Sequence, residues 1–509
     1  MAAGRPPAAG RTALVVGGGI SGLLAARELA RAGLSTTVLE AADAWGGCVG
    51  RHDVAGLTLD SGAESFATRS TAVADLAAEL GLGGHIVAPR PGGAWVQLPG
   101  GPRELPKTGV LGIPANPWDP EVRRSLGLGG SLRASLDKLL PASVGTTAEV
   151  SSVSALVRAR MGRRVLERLV EPVVGGVHSA DPGLLDVDMV APGLRAGITR
   201  HGSLAAAVAA QRKGTATQAT ATQDASTQDA SAQDASTQDA STQGKPAKAG
   251  SAVAGLRGGM HTLITELVAD LRARGVQLLP GTAATSVARS PHGWVVAAGE
   301  DSHTADVLVV ALDGPSAVRL LGDAVPALAR HQPGPGPIVK LVTLVVDLPA
   351  LDRRPRGTGI LVAPRTEGIQ AKALTHATGK WDWVTEAAGR GRHVLRLSYG
   401  RSEGASAASP DAARGPESAS DEELLDMALQ DASVLLTVPV TRETLVDWDV
   451  VSWAGALPFA AVGHRQRVAE VRQVCAGIDG LLMVGGWLAG NGLAAVVADT
   501  KTQVAAFLA

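Results

Sequence analysis

Apolar residues along the chain fall in short runs separated by glycine, proline and charge, and the first run, TALVV at 12–16, stops at three glycines. Such a run, bounded by turn residues, predicts a buried strand. Apolar positions at three- and four-residue spacing then predict a helix over 20–32 with Gly33 as its C-cap, and STTVL at 35–39 predicts the next strand. Strand, helix and strand in that order predict a right-handed parallel βαβ unit. From about 90 to 205 the pattern turns helical and proline-punctuated, with amphipathic runs at 131–140, 151–160 and 162–171. A helix predicted over 260–274 leads into strand-like VQLLP, TAATSVARS, WVVAAG and ADVLVVAL. The block 338–400 reads as strands of an antiparallel sheet, and Trp381 and Trp383, alternating as on a strand, read as core. Near the end, GLLMVGGWLAGNGLAAVV repeats the opening pattern of buried strand, glycines and helix.

One segment breaks the pattern. Residues 215–243 repeat Thr/Ser, Gln, Asp and Ala without a large apolar side chain, so they cannot bury enough surface to offset their ordering entropy and are expected to form a disordered surface loop. Elsewhere, 509 residues that are 45% hydrophobic suffice for a large core divided among two to four domains. A formal net charge of -1 leaves no basic excess for nucleic acid. With only Cys48 and Cys475, no cysteine-rich metal site is available; a reducing compartment fits, and a single bridge between the two stays open. There is no signal-peptide apolar core, and no apolar run of the roughly 18 residues that a spanning helix needs, so a cytoplasmic location is expected.

The chemistry starts at the glycines. Gly17, Gly18, Gly19, Ile20, Ser21 and Gly22 fit G-x-G-x-x-G between strand and helix. In that motif one glycine makes the turn, the next lets a pyrophosphate approach the backbone at the helix N-terminus, and the last lets helix pack on strand. Glu40, ending the second strand, can accept both ribose hydroxyls of an adenosine and would repel a 2′-phosphate, favouring FAD or NAD over NADP. The C-terminal glycine stretch lacks a following strand and acidic residue, so it is half a motif.

A second glycine pair, Gly46-Gly47, follows Glu40, with Arg51 beyond it. This E-x5-GG-x-x-x-R pattern resembles the flavoprotein superfamily of amine oxidases and phytoene desaturases, which shifts the expected cofactor to FAD. Within it, the chain is most similar to the oxygen-dependent porphyrinogen oxidases of haem synthesis. That resemblance is carried by DSGAESFATR at 60–69, LVEPVVGGVHSADP at 169–182, LRGGMHTL at 256–263, AKALTHATGKWDW at 371–383, LRLSYGR at 395–401, ALPFAAVGHRQRV at 456–468 and VGGWLAGNGLAAVV at 484–497. It implies an α/β fold with a Rossmann-like FAD-binding domain (1–90, 253–315 and 447–509), a helical subdomain (91–205), an insertion (206–252) and an antiparallel-sheet substrate domain (316–446). The resemblance places Gly17 to Gly22 at the pyrophosphate, Glu40 and Ala41 at the ribose, and Gly47, Cys48, Gly62, Ala63, Glu64 and Ser65 along the flavin side. It places Ala284 at the adenine, Trp453 near the cofactor, and the backbone of Val496, Val497 and Ala498 against the flavin from the C-terminal side. Cys48 and Val497 depart from the family's usual residues there.

The implied reaction removes six electrons and six hydrogens from a porphyrinogen in three two-electron steps at the flavin, with oxygen as acceptor and hydrogen peroxide as product. It requires no metal and no catalytic acid or base identifiable in the sequence. A flat apolar substrate with carboxylate arms calls for cationic or polar rim groups, and Arg69, His178, Lys340, Lys372 and Arg396 are the candidates in or near the motifs. His464 is expected to cap a helix or fill a packing position. The arginine-rich composition has a codon-level explanation and does not decide the substrate; soluble, GC-rich bacterial members without a membrane-seeking surface resemble the coproporphyrinogen III enzymes. Transient contact with other haem-pathway enzymes is a further expectation. Protoporphyrinogen IX, an amine or polyene substrate, and a non-catalytic flavin-fold protein stand as alternatives.

Overall fold

A computed structural model describes residues 10–106, 109–147, 150–178, 181–213, 253–334, 336–400, 416–455, 461–490 and 492–509. The 215–243 repeat and residues 456–460 lie outside them.

Strands Thr12–Val16 and Ser35–Leu39 flank helix Ile20–Arg31, as expected. They pair in parallel within a five-stranded sheet that also holds Gln277–Leu279, Val307–Val310 and Leu481–Met483. The spatial order runs Gln277–Leu279, Ser35–Leu39, Thr12–Val16, Val307–Val310, Leu481–Met483, so strands from both ends of the chain flank Val307–Val310. Its strands are almost wholly apolar because helices cover both faces. On one face the C-terminal helix Leu493–Leu508 and helix His261–Ala273 pack with Ile20–Arg31 in a single core that includes Leu23, Leu24, Leu267, Val497 and Val504.

The strand-rich block forms a seven-stranded sheet in the order Leu445–Ala454, Ile338–Asp347, Arg392–Tyr399, Ala373–His376, Gly359–Val362, Trp95–Leu98, Gly101–Glu104. All its pairs are antiparallel except Gly359–Val362 with Trp95–Leu98. Period-two alternation gives it two different faces. Val342, Leu344, Val346, Leu395 and Leu397 pack under helix Asp421–Leu436, whereas Val345 and Val394 pack with Leu59 and Trp381 on the other face. Trp381 is core as expected, but Trp383 lies half-buried on helix Asp382–Ala388, so the tryptophan alternation is not a strand.

In the third block, helix Val153–Met161 is capped by Ser152, whose hydroxyl accepts from the Ala155 N–H. Residues 163–178 form one helical rod with a π turn at Leu166–Val170. Pro172, having no N–H, removes one regular bond just past that turn. The predicted run 131–140 belongs to helix Pro120–Ser135, which breaks at Gly127 (φ 70°), and to the 3-10 turn Leu136–Leu139. Its leucines do not face inward as the periodicity suggests: Gly130, Ser131, Ala134 and Asp137 are buried, and Leu128, Leu132, Leu136 and Leu139 are exposed. The reason is local. Buried Asp137 accepts from Arg160 Nε and from the N–H groups of Leu204 and Ala205, and this ionic network fixes which side of the rod turns inward. Both cysteines are free.

Candidate cofactor and substrate site

The strand Thr12–Val16 delivers its glycines to a turn with almost no room for side chains. Gly17 has φ 109° and donates its N–H to Leu39 O at 2.8 Å. A Cβ on Gly22 would lie 1.8 Å from Gly17 O, and one on Gly17 would lie 2.6 Å from Ala311 O, so both positions must be glycine. A Cβ on Gly19 would meet nothing within 4 Å. Gly19 is also the N-cap of helix Ile20–Arg31 and has no side-chain cap. The middle glycine of the motif thus opens onto free space at an uncapped helix N-terminus, where the dipole and the first amides favour an anion.

Glu40 sits beside this turn. Its carboxylate accepts from Gly18 N–H at 2.5 Å and Ala42 N–H at 2.9 Å, which orients it and leaves lone pairs for further donors. The Glu40 backbone bonds Leu279 O and Thr282 N–H, bringing the chain just before Ala284 to its side, while Ala41 is exposed. Gly46 donates to Gly18 O at 2.8 Å, and Trp45 lies against Gly18. Gly19, Glu40 and the chain before Ala284 therefore lie in succession, and the residues present fit FAD.

The second wall comes from 47–65. Gly47–Val49 forms a single 3-10 turn; Ala63 N–H bonds Cys48 O at 2.8 Å, and a Cβ on Gly62 would strike that same oxygen at 2.1 Å. Burial pushes the Cys48 thiol up, so it stays protonated and unreactive. Asp60, buried, accepts from the Met260 and His261 N–H groups and contacts His261 Nδ1, locking the loop to the start of helix His261–Ala273.

Opposite stands the face of the seven-stranded sheet turned away from helix Asp421–Leu436. Arg396 donates to Gly62 O at 2.8 Å and Asp60 O at 3.1 Å and pairs with Glu64 at 3.3 Å; Lys380 pairs with the other Glu64 oxygen. Burial alone would raise the Glu64 carboxyl, but Lys380 and Arg396 outweigh it and hold the group below the usual carboxylate range. Trp453 donates its indole N–H to Ser61 O at 2.8 Å. Asp60, Glu64 and Arg396 border a cavity of about 30 Å³ whose apolar lining includes Leu59, Trp381 and Val394.

The five candidate rim groups are not brought together. Arg396 is engaged with the 60–64 loop. Lys340 lies on the opposite sheet face and donates to Ala419 O at 2.9 Å, and buried Lys372 donates to Gly400 O at 3.1 Å. Arg69 is exposed beyond the strand Phe66–Ala67. His178 ends helix Glu171–His178, with its side chain outside the described residues. Lys380, which the sequence reading passed over, is the cation that holds Glu64; a lysine immediately before buried Trp381 was the available signal. His464 begins helix His464–Ala476, buried, with Nε2 2.6 Å from Trp487 O.

The C-terminal glycines complete the enclosure. Val484 N–H bonds Val310 O, and Gly485 lies against Leu312 O, next to the Ala311 oxygen that crowds Gly17. Gly490 and Gly492, both at positive φ, open onto free space. Helix Leu493–Leu508 begins earlier than the expected contact at Val496 to Ala498: Val496 N–H is bonded to Gly492 O, Val497 is in the core and Ala498 is exposed. Among the described residues, the amides of Leu493 and Ala494 have no acceptor one turn back. Among the described residues no His, Cys, Asp and Glu cluster suits a metal ion.

Residues 20–499 match the family model of the flavin containing amine oxidoreductases. The chain belongs to that family. Its cofactor is FAD, and it is an oxidoreductase. Among its relatives, the coproporphyrinogen III oxidase of Propionibacterium freudenreichii is 34% identical over 90% of this chain and 83% of its own length. The coproporphyrinogen III oxidase of Mycobacterium leprae is 31% identical over 94% and 93%. A solved structure from Exiguobacterium sp. 255-15, provisionally named a protoporphyrinogen oxidase, shares the fold with a TM-score of 0.76 at 24% identity, covering 98% of this chain and 99% of its own.

Proposed function

We propose that the chain oxidises coproporphyrinogen III to coproporphyrin III in haem biosynthesis, using oxygen and releasing hydrogen peroxide. The observation that carries this reading is the near full-length relationship to two coproporphyrinogen III oxidases at 31% and 34% identity. Bound FAD supplies the two-electron oxidation. The chain's own residues hold and enclose. Gly17 to Gly22 and the N-terminus of helix Ile20–Arg31 take the pyrophosphate, Glu40 takes the ribose, and the 60–65 loop forms the edge toward substrate. Glu64, kept ionised by Lys380 and Arg396, fixes that loop against the sheet, and Trp453 ties its other end. Leu59, Val394 and Trp381 form the buried apolar layer that supports this loop from behind.

A cytoplasmic location and transient contact with neighbouring haem-pathway enzymes belong to the same reading. Aerobic turnover tests it by porphyrin fluorescence and peroxide release. Coproporphyrinogen III is expected to give three peroxides per porphyrin, faster than protoporphyrinogen IX; the reverse preference overturns the substrate, and no turnover of either overturns the reading.

A further inference from the structure

Where the third block meets the seven-stranded sheet, three parts of the chain enclose an open cavity of about 250 Å³. The turn 98–103 and residues 363–365 come from the sheet, and Arg124 and Ser125 from the N-terminal half of helix Pro120–Ser135. Glu167, Arg168 and Glu171 come from the rod 163–178. Leu98 and Ala363, both buried, give the cavity an apolar wall.

Its charges do not cancel. Arg103, Arg124, Arg168 and Arg365 line it, against the two carboxylates of Glu167 and Glu171. Arg365 already engages both, at 2.7 Å from Glu167 and 3.6 Å from Glu171, and Glu167 also pairs with Arg163. The other three arginines have no acidic partner among the described residues. Each donates to a backbone carbonyl instead: Arg103 to Pro102 O at 2.9 Å, Arg124 to Pro120 O at 3.3 Å and Arg168 to Ser125 O at 2.9 Å. Burial lifts the Glu171 carboxyl above the usual carboxylate range; Arg365 opposes this and Glu167 adds to it, so the negative charge is weaker still. Ser125, 3% exposed, lines the same cavity, and its hydroxyl has no partner among the described residues.

We propose that this cavity binds aliphatic carboxylates, with Arg103, Arg124 and Arg168 holding the oxygens, Ser125 as a further donor, and Leu98 and Ala363 against the methylene stem. A guanidinium fork matches a carboxylate in pairs of hydrogen bonds. The apolar wall suits a methylene stem better than a bare inorganic anion, and the excess of arginines repels a cation. A ligand held there ties the third block to the sheet. The carboxylates have two sources, a free oligocarboxylate or the propionate arms of the porphyrin. The sheet register favours the arms. Arg103 lies opposite Val96, Val96 opposite Leu361, Leu361 opposite Ala373, and Ala373 opposite Ser398, two residues beyond Arg396. The cavity and Arg396 therefore share one sheet face. The porphyrin source rests on the function proposed above; the carboxylate site does not.

Titrations of the FAD-loaded, full-length protein with citrate, by calorimetry, and with coproporphyrin III, by porphyrin fluorescence, test the site. Combining Arg103→Gln and Arg168→Gln is expected to weaken binding of at least one of the two at least tenfold. Arg123→Gln, exposed on the same helix but outside the cavity, is expected to change neither more than twofold. Both arginines of the double variant are exposed, so its flavin content and melting temperature should match the wild type. Loss confined to citrate assigns the site to a free oligocarboxylate, and loss of coproporphyrin III assigns it to the propionate arms. Either loss is read without turnover, so an enzyme that fails to oxidise a porphyrinogen can still show the site, and an active enzyme can still lack it. If the double variant loses its flavin, protection of Arg103 and Arg168 of the wild type from phenylglyoxal by the same two probes, read by mass spectrometry, decides in its place. The proposal is overturned if the wild type binds neither probe, if the double variant weakens neither tenfold, or if neither probe protects the arginines.

Discussion

Single atoms decide the cofactor site. Glu40 touches two amides of its own chain and is poised for a diol, so Glu40→Arg removes an acceptor pair and adds a cation beside the uncapped helix terminus. Purified Glu40→Arg protein should carry far less than stoichiometric FAD by absorbance; full occupancy would remove the ribose role. Gly22→Ala forces a methyl to 1.8 Å from Gly17 O. A backbone shift of that kind costs about 1–3 kcal/mol or more, so the melting temperature and flavin content should fall together. Unchanged values for both would contradict the steric requirement for glycine at position 22.

Among elements, legibility divides according to whether local chemistry or distant partners set the structure. The first βαβ unit is legible because Gly17 and Gly22 have a steric reason, Gly19 opens a helix terminus, and both strands are mostly buried. The antiparallel sheet was visible as strands, but which face meets the cofactor depends on parity relative to partners hundreds of residues away. Lys340 and Arg396 look alike as cations in strands, yet one lies under helix Asp421–Leu436 and the other against the 60–64 loop. The amphipathic run at 131–140 turns its leucines outward because Asp137 and Arg160, 23 residues apart, orient the rod more strongly than its apolar period does.

Two pH dependences belong to this scale. Glu64 has a folded value below its unfolded one, so its ionised form stabilises the fold above the ordinary carboxylate range, and that contribution is lost as pH falls through the folded value. Glu64→Gln should therefore lower the melting temperature at pH 7, with the gap to wild type closing in strong acid; a constant gap would deny the ion cluster. His376, where the strand Ala373–His376 meets the next short helix, lies 3.0 Å from His393. Burial first, and His393 second, push His376 down to about 3. The unfolded chain takes up its proton below about 6.5, so stability is complete above that pH and declines below it by up to about 1.4 kcal/mol per unit. Unfolding free energies between pH 7 and 5 should decline less in His376→Asn than in wild type, and parallel declines would refute the assignment.

At the scale of the molecule, the two ends of the chain make one site. The opening and closing glycine turns abut the same Ala311–Leu312 corner, and the helices that follow them share a core. We therefore assign the closing segment to the same proposed FAD site as the opening glycines, with the 60–64 loop and Arg396 on its other side. Anaerobic titration of the purified yellow protein with coproporphyrinogen III, followed by flavin absorbance, tests this most directly. Full bleaching of one flavin per chain is expected. An oxidised spectrum that coproporphyrinogen III leaves unchanged would show that the site does not perform this oxidation.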